Sequence, residues 1–281
     1  MILNRNIFQR ISLLIWFVCA IQTLFIFSGL WPYTPESRGH QNILEGLTTL
    51  SIVVIAGATW YYFHMYKPSR VSCVRTAKLM AFGVVFCAIG DVINFNLGQQ
   101  FHSHDPQIKH DYLVDSIYSF SIGYGLILYA TVPFLQHLGI TKKQAILVTS
   151  LVSLCTLLSY YQMRLPDTGL YVTLLAGFYA LLVAQCSSFA ILILFKAISF
   201  QSLKLCILPV IGLFLATLAD ALIGQFWLFG NSGQGYFPLI RTINWFIYIS
   251  SSILIIQLPW VYHQIQSSQF LSSISPCEQA N

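Results

Sequence analysis

The sequence predicts an all-α, polytopic integral membrane protein whose eight transmembrane helices form two parallel four-helix repeats. Three observations carry this. Of 281 residues, 56% are hydrophobic and only 8% are charged, against about 25% charged in a typical soluble domain. The 14 basic and 9 acidic residues cannot cover a soluble surface of this size. That excludes an ordinary soluble enzyme, a nucleic-acid-binding module and a disordered chain. Second, eight segments reach the roughly 20 apolar residues that a span needs. Third, the basic residues segregate to one side when eight spans are drawn.

Span 1, roughly 11–30, follows Arg5 and Arg10. It lacks a clean small-residue cleavage site and reads as a retained helix rather than a signal peptide. Span 2, roughly 43–65, carries Glu45 near its outer start and His64 near its inner end, both expected at the interface. Span 3, roughly 78–100, holds Asp91 in its outer half, and span 4 covers roughly 113–136. Spans 5 and 6 cover roughly 144–163 and 170–195; span 7, roughly 205–228, holds Asp220; span 8 covers roughly 240–262. Trp31, Tyr33, Trp60, Tyr61 and Trp260 fit an aromatic belt at the span ends. The seven cysteines are scattered singly and read as small buried hydrophobes.

With this count, Arg5, Arg10, Lys67, Arg70, Arg75, Lys78, Lys142, Lys143, Lys196 and Lys204 share one side. Arg38, Lys109, Arg164 and Arg241 occupy the other. The excess predicts cytoplasmic termini, with a bacterial inner membrane as the expected location.

The two halves, approximately 11–136 and 144–262, resemble each other. At an offset of 129, Gly83 falls on Gly212 and Gly90-Asp91 on Ala219-Asp220. At an offset of 126, Ile117 falls on Ile243, Phe120 on Phe246, Ile127-Leu128 on Ile253-Leu254 and Pro133 on Pro259. Four spans per half give both copies one orientation, so the pseudo-axis follows the membrane normal.

A mid-membrane carboxylate costs about 2.5–3.5 kcal/mol on insertion scales and marks a functional site by default. The repeat is expected to bring Asp91 and Asp220 to one central cleft. Asn94 shares the face of Asp91, and Thr217 precedes Asp220 by one turn. Span 4 aligns Asp115, Tyr118, Ser119 and Ile122 along one face; the matching face of span 8 carries Arg241, Asn244 and Tyr248. One protonated acid beside one ionised carboxylate suits general acid–base hydrolysis, and it equally suits proton-coupled transport. The stretch Ser121-Ile122-Gly123-Tyr124-Gly125 is similar to a potassium filter, but apolar sequence continues on both sides where a filter needs a re-entrant loop. Its glycines read as close helix packing. His102, His104, Asp105, His110 and Asp111 match no standard metal spacing and read as a solvated loop. No metal, nucleotide or other cofactor is implied: no P-loop, HExxH or GxSxG occurs.

Lys78-Leu79-Met80-Ala81-Phe82-Gly83, followed by Phe86-Cys87-Ala88-Ile89-Gly90-Asp91-Val92-Ile93, and the stretch from Gly212 to Ile223 resemble the two signature helices of the YhhN-like lysoplasmalogenase family. Ile243 to Gln257 is similar to that family's last span. The resemblance implies eight spans and hydrolysis of the vinyl-ether bond of a lysoplasmalogen, a membrane lipid. It assigns Asp91 and Asp220 to catalysis. Asn94, Asp115, Tyr118, Tyr124, Arg241, Asn244 and Tyr248 are the candidate substrate-binding residues, with Arg241 a candidate partner for the head-group phosphate. The chain departs from the family at Ala219, where Ser is expected, and at Tyr124, the nearest match to a His. A similar pattern of paired spans also resembles the membrane input regions of bacterial sensors. A sensor or small-ligand-binding module and a small-solute or proton-coupled transporter therefore stay open as alternatives, and the oligomeric state is left open.

Overall fold

A computed structural model describes residues 5–32, 35–95, 110–164, 169–199, 203–225 and 238–274. Among them the chain is helical throughout, in nine helices. These are α1 (Arg5–Phe27), α2 (Pro35–Tyr66), α3 (Val71–Phe95), α4 (His110–His137), α5 (Lys142–Met163), α6 (Leu170–Ser199), α7 (Leu203–Ile223), α8 (Pro238–Ile255) and α9 (Leu258–Ile274). Eight stretches are long and apolar enough to cross a membrane; α8 and α9 together supply the eighth, Leu239–Ser267. The chain is a multi-pass integral membrane protein, and eight passes return Arg5 and the end of α9 to the same side.

The α8–α9 junction follows from Pro259. Its ring nitrogen cannot donate to the Ile255 carbonyl. The chain tightens there, and the Gln257 amide donates to the Leu254 carbonyl at 3.2 Å. α5 starts with a capping box: the Thr141 hydroxyl accepts from the Gln144 amide, and the Gln144 side chain accepts from the Thr141 amide. Gly139, at φ +70°, makes the turn before it.

Three sequence expectations need correction. α3 begins at Val71, so Arg75 and Lys78 are not in a connection but on the first turns of the helix. Their stems run along apolar surface, and their charged ends lie over the rings of Tyr129 and Trp60, at 5.0 and 5.8 Å. Trp260, expected in the aromatic belt, is instead buried among Phe8, Tyr62 and Phe63. Glu45, expected at the interface, is 1% exposed. Tyr33, His102, His104, Asp105, Lys109 and Cys277 lie outside the described residues, as do the side chains of Arg38, His110 and Asp111.

The same neighbours recur in both halves. α3 packs on α2 and α4, and α7 packs on α6 and α8. Close approach is set by glycine at matching places. A Cβ on Gly83 would sit 2.8 Å from Ile127 Cγ1 and 2.9 Å from the Gly123 carbonyl oxygen in α4. A Cβ on Gly212 would sit 2.9 Å from Leu254 Cβ and 3.0 Å from the Ile255 amide nitrogen in α8. Small residues are the means by which membrane helices approach when lipid supplies no hydrophobic drive. The first and fifth helices break the correspondence. α1 lies along α2 and α8, where Trp16 Nε1 donates to Ser250 Oγ at 3.0 Å. α5 packs mainly along α6, and only 6% of its span is buried, against 22% for α1.

Candidate functional site

Each carboxylate expected at the centre is held by hydroxyl donors. Asp91, near the C-terminal end of α3, accepts from Thr49 Oγ1 of α2 at 3.2 Å and from the Tyr248 hydroxyl of α8 at 2.9 Å. Asp220, near the C-terminal end of α7, accepts from the Tyr179 hydroxyl of α6 at 2.6 Å, and Tyr124 of α4 stands beside Tyr179, their ring centroids 6.3 Å apart. The two patterns match in part: each acid takes a donor from the second helix of its own half, and Asp91 takes another from the fourth helix of the other half. In low-dielectric surroundings each buried oxygen needs such a donor, because water does not supply one.

The gap left where α5 stands away from α4 is a cavity of about 440 Å³, within the range of roughly 300–1,000 Å³ usual for small-molecule sites. α4, α5, α6 and α7 wall it, and the end of α3 closes it at Asn94. Along α5 it runs from Leu151 to Met163, about 18 Å at 1.5 Å per residue. It therefore reaches from the middle of the span to the end where α5 finishes. Most of its wall is apolar, from Ile117, Phe120, Ala176, Ala180, Val183 and Ile223. Polar groups at that end are Asp220, Asn94, Ser116, Ser159, Tyr160, Tyr179 and Thr217, with Thr156 and Ser187 further along the wall.

The expectation that both acids face one hollow holds for Asp220 and not for Asp91, which does not line the cavity. α8 and α2 pack over Asp91 and leave it 4% exposed. Asn94 lines the cavity, and its Oδ1 is buried without a protein partner. Tyr248 bonds Asp91, and Tyr124 packs beside Tyr179. Tyr118 is on the exposed face of α4, its hydroxyl paired with that of Tyr171, and Asp115 is exposed near it. Neither Asp115 nor Tyr118 lines the cavity. Asn244 is buried in α8 away from the cavity, with an unpartnered Oδ1.

Arg241, a candidate for the head-group phosphate, is already engaged. Its Nη1 donates to Glu45 Oε1 at 2.8 Å, and its Nη2 to Glu45 Oε2 and, at 3.1 Å, to Asn42 Oδ1. That bidentate pair ties α8 to α2. Tyr179, Thr49 and Tyr160 escaped the sequence reading. A signal for the first two was present: an offset of 130 carries Thr49 onto Tyr179, one residue from the offset that relates the two acids. Nothing in the sequence marks Tyr160, whose hydroxyl donates to the Thr173 carbonyl at 2.6 Å. Among the described residues, no cluster of His, Cys, Asp or Glu has the makings of a metal site.

Comparison with family models, with curated proteins and with solved structures returned no match to this chain.

Proposed function

We propose that this protein hydrolyses the vinyl-ether bond of a single-chain, lysoplasmalogen-like lipid held in the cavity between α4 and α7. One observation carries the reading: a carboxyl group, Asp220, stands at the polar end of an apolar cavity that lies inside the membrane-spanning region and is long enough for an acyl-type chain. The resemblance of α3 and α7 to the lysoplasmalogenase signature helices supports it independently.

The chemistry needs little more. A carboxylic acid donates its proton to the vinyl carbon remote from the ether oxygen, which leaves an oxocarbenium-like cation. Water adds to the carbon bearing the oxygen, returns a proton to the carboxylate and forms a hemiacetal. The hemiacetal breaks into a fatty aldehyde and an alcohol. Asp220 is the group that touches substrate. Tyr179 holds its carboxyl in place. Asp91 is a positioning residue in this scheme, its charge acting on the developing cation from behind α3 and α8. Tyr160 and Thr217 border the path by which water arrives from the outer mouth.

The test is aldehyde release from lysoplasmalogen by the purified protein in lipid nanodiscs. Asp220→Asn is expected to lower it about 10²–10⁴-fold, the usual worth of a general acid, and Asp91→Asn to lower it with no change in substrate affinity. Undiminished release by folded Asp220→Asn eliminates this mechanism. A second reading, a lipid-binding module without turnover, is favoured by the packing of Asp91 out of the cavity. Saturable lipid binding with no aldehyde from any vinyl ether selects it.

We further propose that the two halves are copies of one four-helix unit and that both termini are cytoplasmic, in a bacterial inner membrane. The charges of Lys67, Arg70, Lys142, Lys143, Lys196 and Lys204, all on the termini side of the bundle, support that orientation.

A further inference from the structure

Two cations stand in the membrane-spanning part of α3 without an acid. Arg75 and Lys78 are both exposed and lie one turn apart on one face of the helix, which begins at Val71. At 1.5 Å per residue they enter the helix by about 6 and 10 Å. A helical Cβ leans toward the N-terminus, so both stems point back to the termini side, where the head groups of that leaflet lie. Rings on either flank frame them. The Arg75 guanidinium lies over the Tyr129 ring of α4 at 5.0 Å, and its Nη2 donates to the Tyr129 hydroxyl. The Lys78 ammonium lies over the Trp60 ring of α2 at 5.8 Å. Further along the same exposed stripe come Phe82, which packs on Trp60, and Ile89.

The chain offers these cations no counter-ion. No Asp or Glu occurs before Glu36, between Glu45 and Asp91, between Asp115 and Asp167, between Asp167 and Asp220, or between Asp220 and Glu278. Those intervals contain the termini-side end of every span. Glu278 lies outside the described residues. A second copy in the same orientation would bring no acid to this depth either. A ring face and one hydroxyl disperse part of a cation's charge, but a guanidinium carries five N–H bonds and an ammonium three. Phosphate accepts from both. Helix packing common to the two halves does not account for the pair. At the offset of 129 that relates the two acids, Arg75 falls on Lys204 but Lys78 on Ile207, and at the offset of 126 Tyr129 falls on Ile255.

We propose that Arg75 and Lys78, framed by Tyr129 and Trp60, bind the phosphate of an anionic phospholipid in the termini-side leaflet. The phosphodiester bridges the guanidinium and the ammonium, and an acyl chain follows the stripe of Phe82 and Ile89. A zwitterionic lipid brings a third cation to a place that already holds two, and like charges repel. An anionic head group without an amine brings none. The site lies apart from the cavity between α4 and α7 and does not depend on the chemistry at Asp220.

Native mass spectrometry of the purified full chain in a non-ionic detergent tests this with dioleoylphosphatidylglycerol and dioleoylphosphatidylcholine, which share their acyl chains. The first phosphatidylglycerol is expected to bind about tenfold more tightly than the first phosphatidylcholine, the order of effect of two basic residues on an anionic lipid. Arg75→Gln with Lys78→Gln is expected to bring the two affinities together. Arg75→Lys, which keeps the charge, is expected to keep most of the preference and so separates loss of the site from loss of the fold. Lys142→Gln with Lys143→Gln removes the same charge from exposed positions on the same side and is expected to leave the preference intact. Equal binding of the two lipids by the unaltered chain overturns the site. So does a preference that survives Arg75→Gln with Lys78→Gln, or one lost equally in the Lys142 and Lys143 variant. Displacement of the lipid by equimolar glycerol 3-phosphate overturns the lipid assignment in favour of a soluble phosphate ester.

Discussion

Arg241 and Glu45 show how a residue's partner decides its meaning. As a letter in an apolar segment, an arginine near the outer end of span 8 invites a phosphate. In place, it is 12% exposed and forked onto a glutamate that is 1% exposed. Removing one member leaves a buried charge alone, which costs about 3–5 kcal/mol. Arg241→Ala should therefore destabilise strongly, and the neutral pair Glu45→Gln with Arg241→Gln should cost much less. Denaturant unfolding in lipid measures both, and a double variant no better than the single one contradicts the role of the pair. Asp91 and Asp220 give the same lesson. Their sequence surroundings are equivalent, and both accept from hydroxyl groups, but only Asp220 meets a cavity.

At the scale of helices, the glycines set distances and α5 sets access. Gly83→Ala and Gly212→Ala each push a methyl group against backbone atoms, and overpacking of this kind costs about 1–3 kcal/mol. Gly57→Ala, whose methyl would meet nothing within 4 Å in the middle of α2, should be neutral or slightly stabilising, since Ala outranks Gly in a helix by about 0.5–1 kcal/mol. Unfolding midpoints of the three variants decide it; equal shifts at all three would refute the close-approach reading. α1 and α5 differ although they occupy the same place in their halves. Ser250 and Ser12 give α1 hydrogen-bonding seats, to Trp16 and Gln257 respectively, and among the described residues α5 is tied to α6, as in Gln185 to Ser153 at 3.0 Å. The cavity is the consequence of that difference.

For the whole molecule, an even number of passes makes orientation a single binary question. Alkaline phosphatase fused to either end should be inactive, and the same reporter inserted between α5 and α6 should be active. Activity at the ends would reverse the assignment. The span count and the positions of Asp91 and Asp220 in helices 3 and 7 needed no structure to read, because twenty-residue apolar runs and stray carboxylates are local properties. Span ends were off by up to seven residues at α3, because Arg75 and Lys78 carry their charges on stems long enough to lie on the helix. The donors Thr49 and Tyr179 were masked by chemistry that changes between the halves, threonine in one and tyrosine in the other.

Composition and periodicity alone established a multi-pass helical protein with an acid in each half, since the cost of polar groups in hydrocarbon acts on every residue wherever its neighbours lie. Which acid is reachable, which arginine is neutralised and where a ligand fits emerged from packing between helices distant in the chain. Those answers turn on the standing of α5 away from α4 and on the crossing of Tyr124 and Tyr248 between halves, contacts that no run of neighbouring residues encodes.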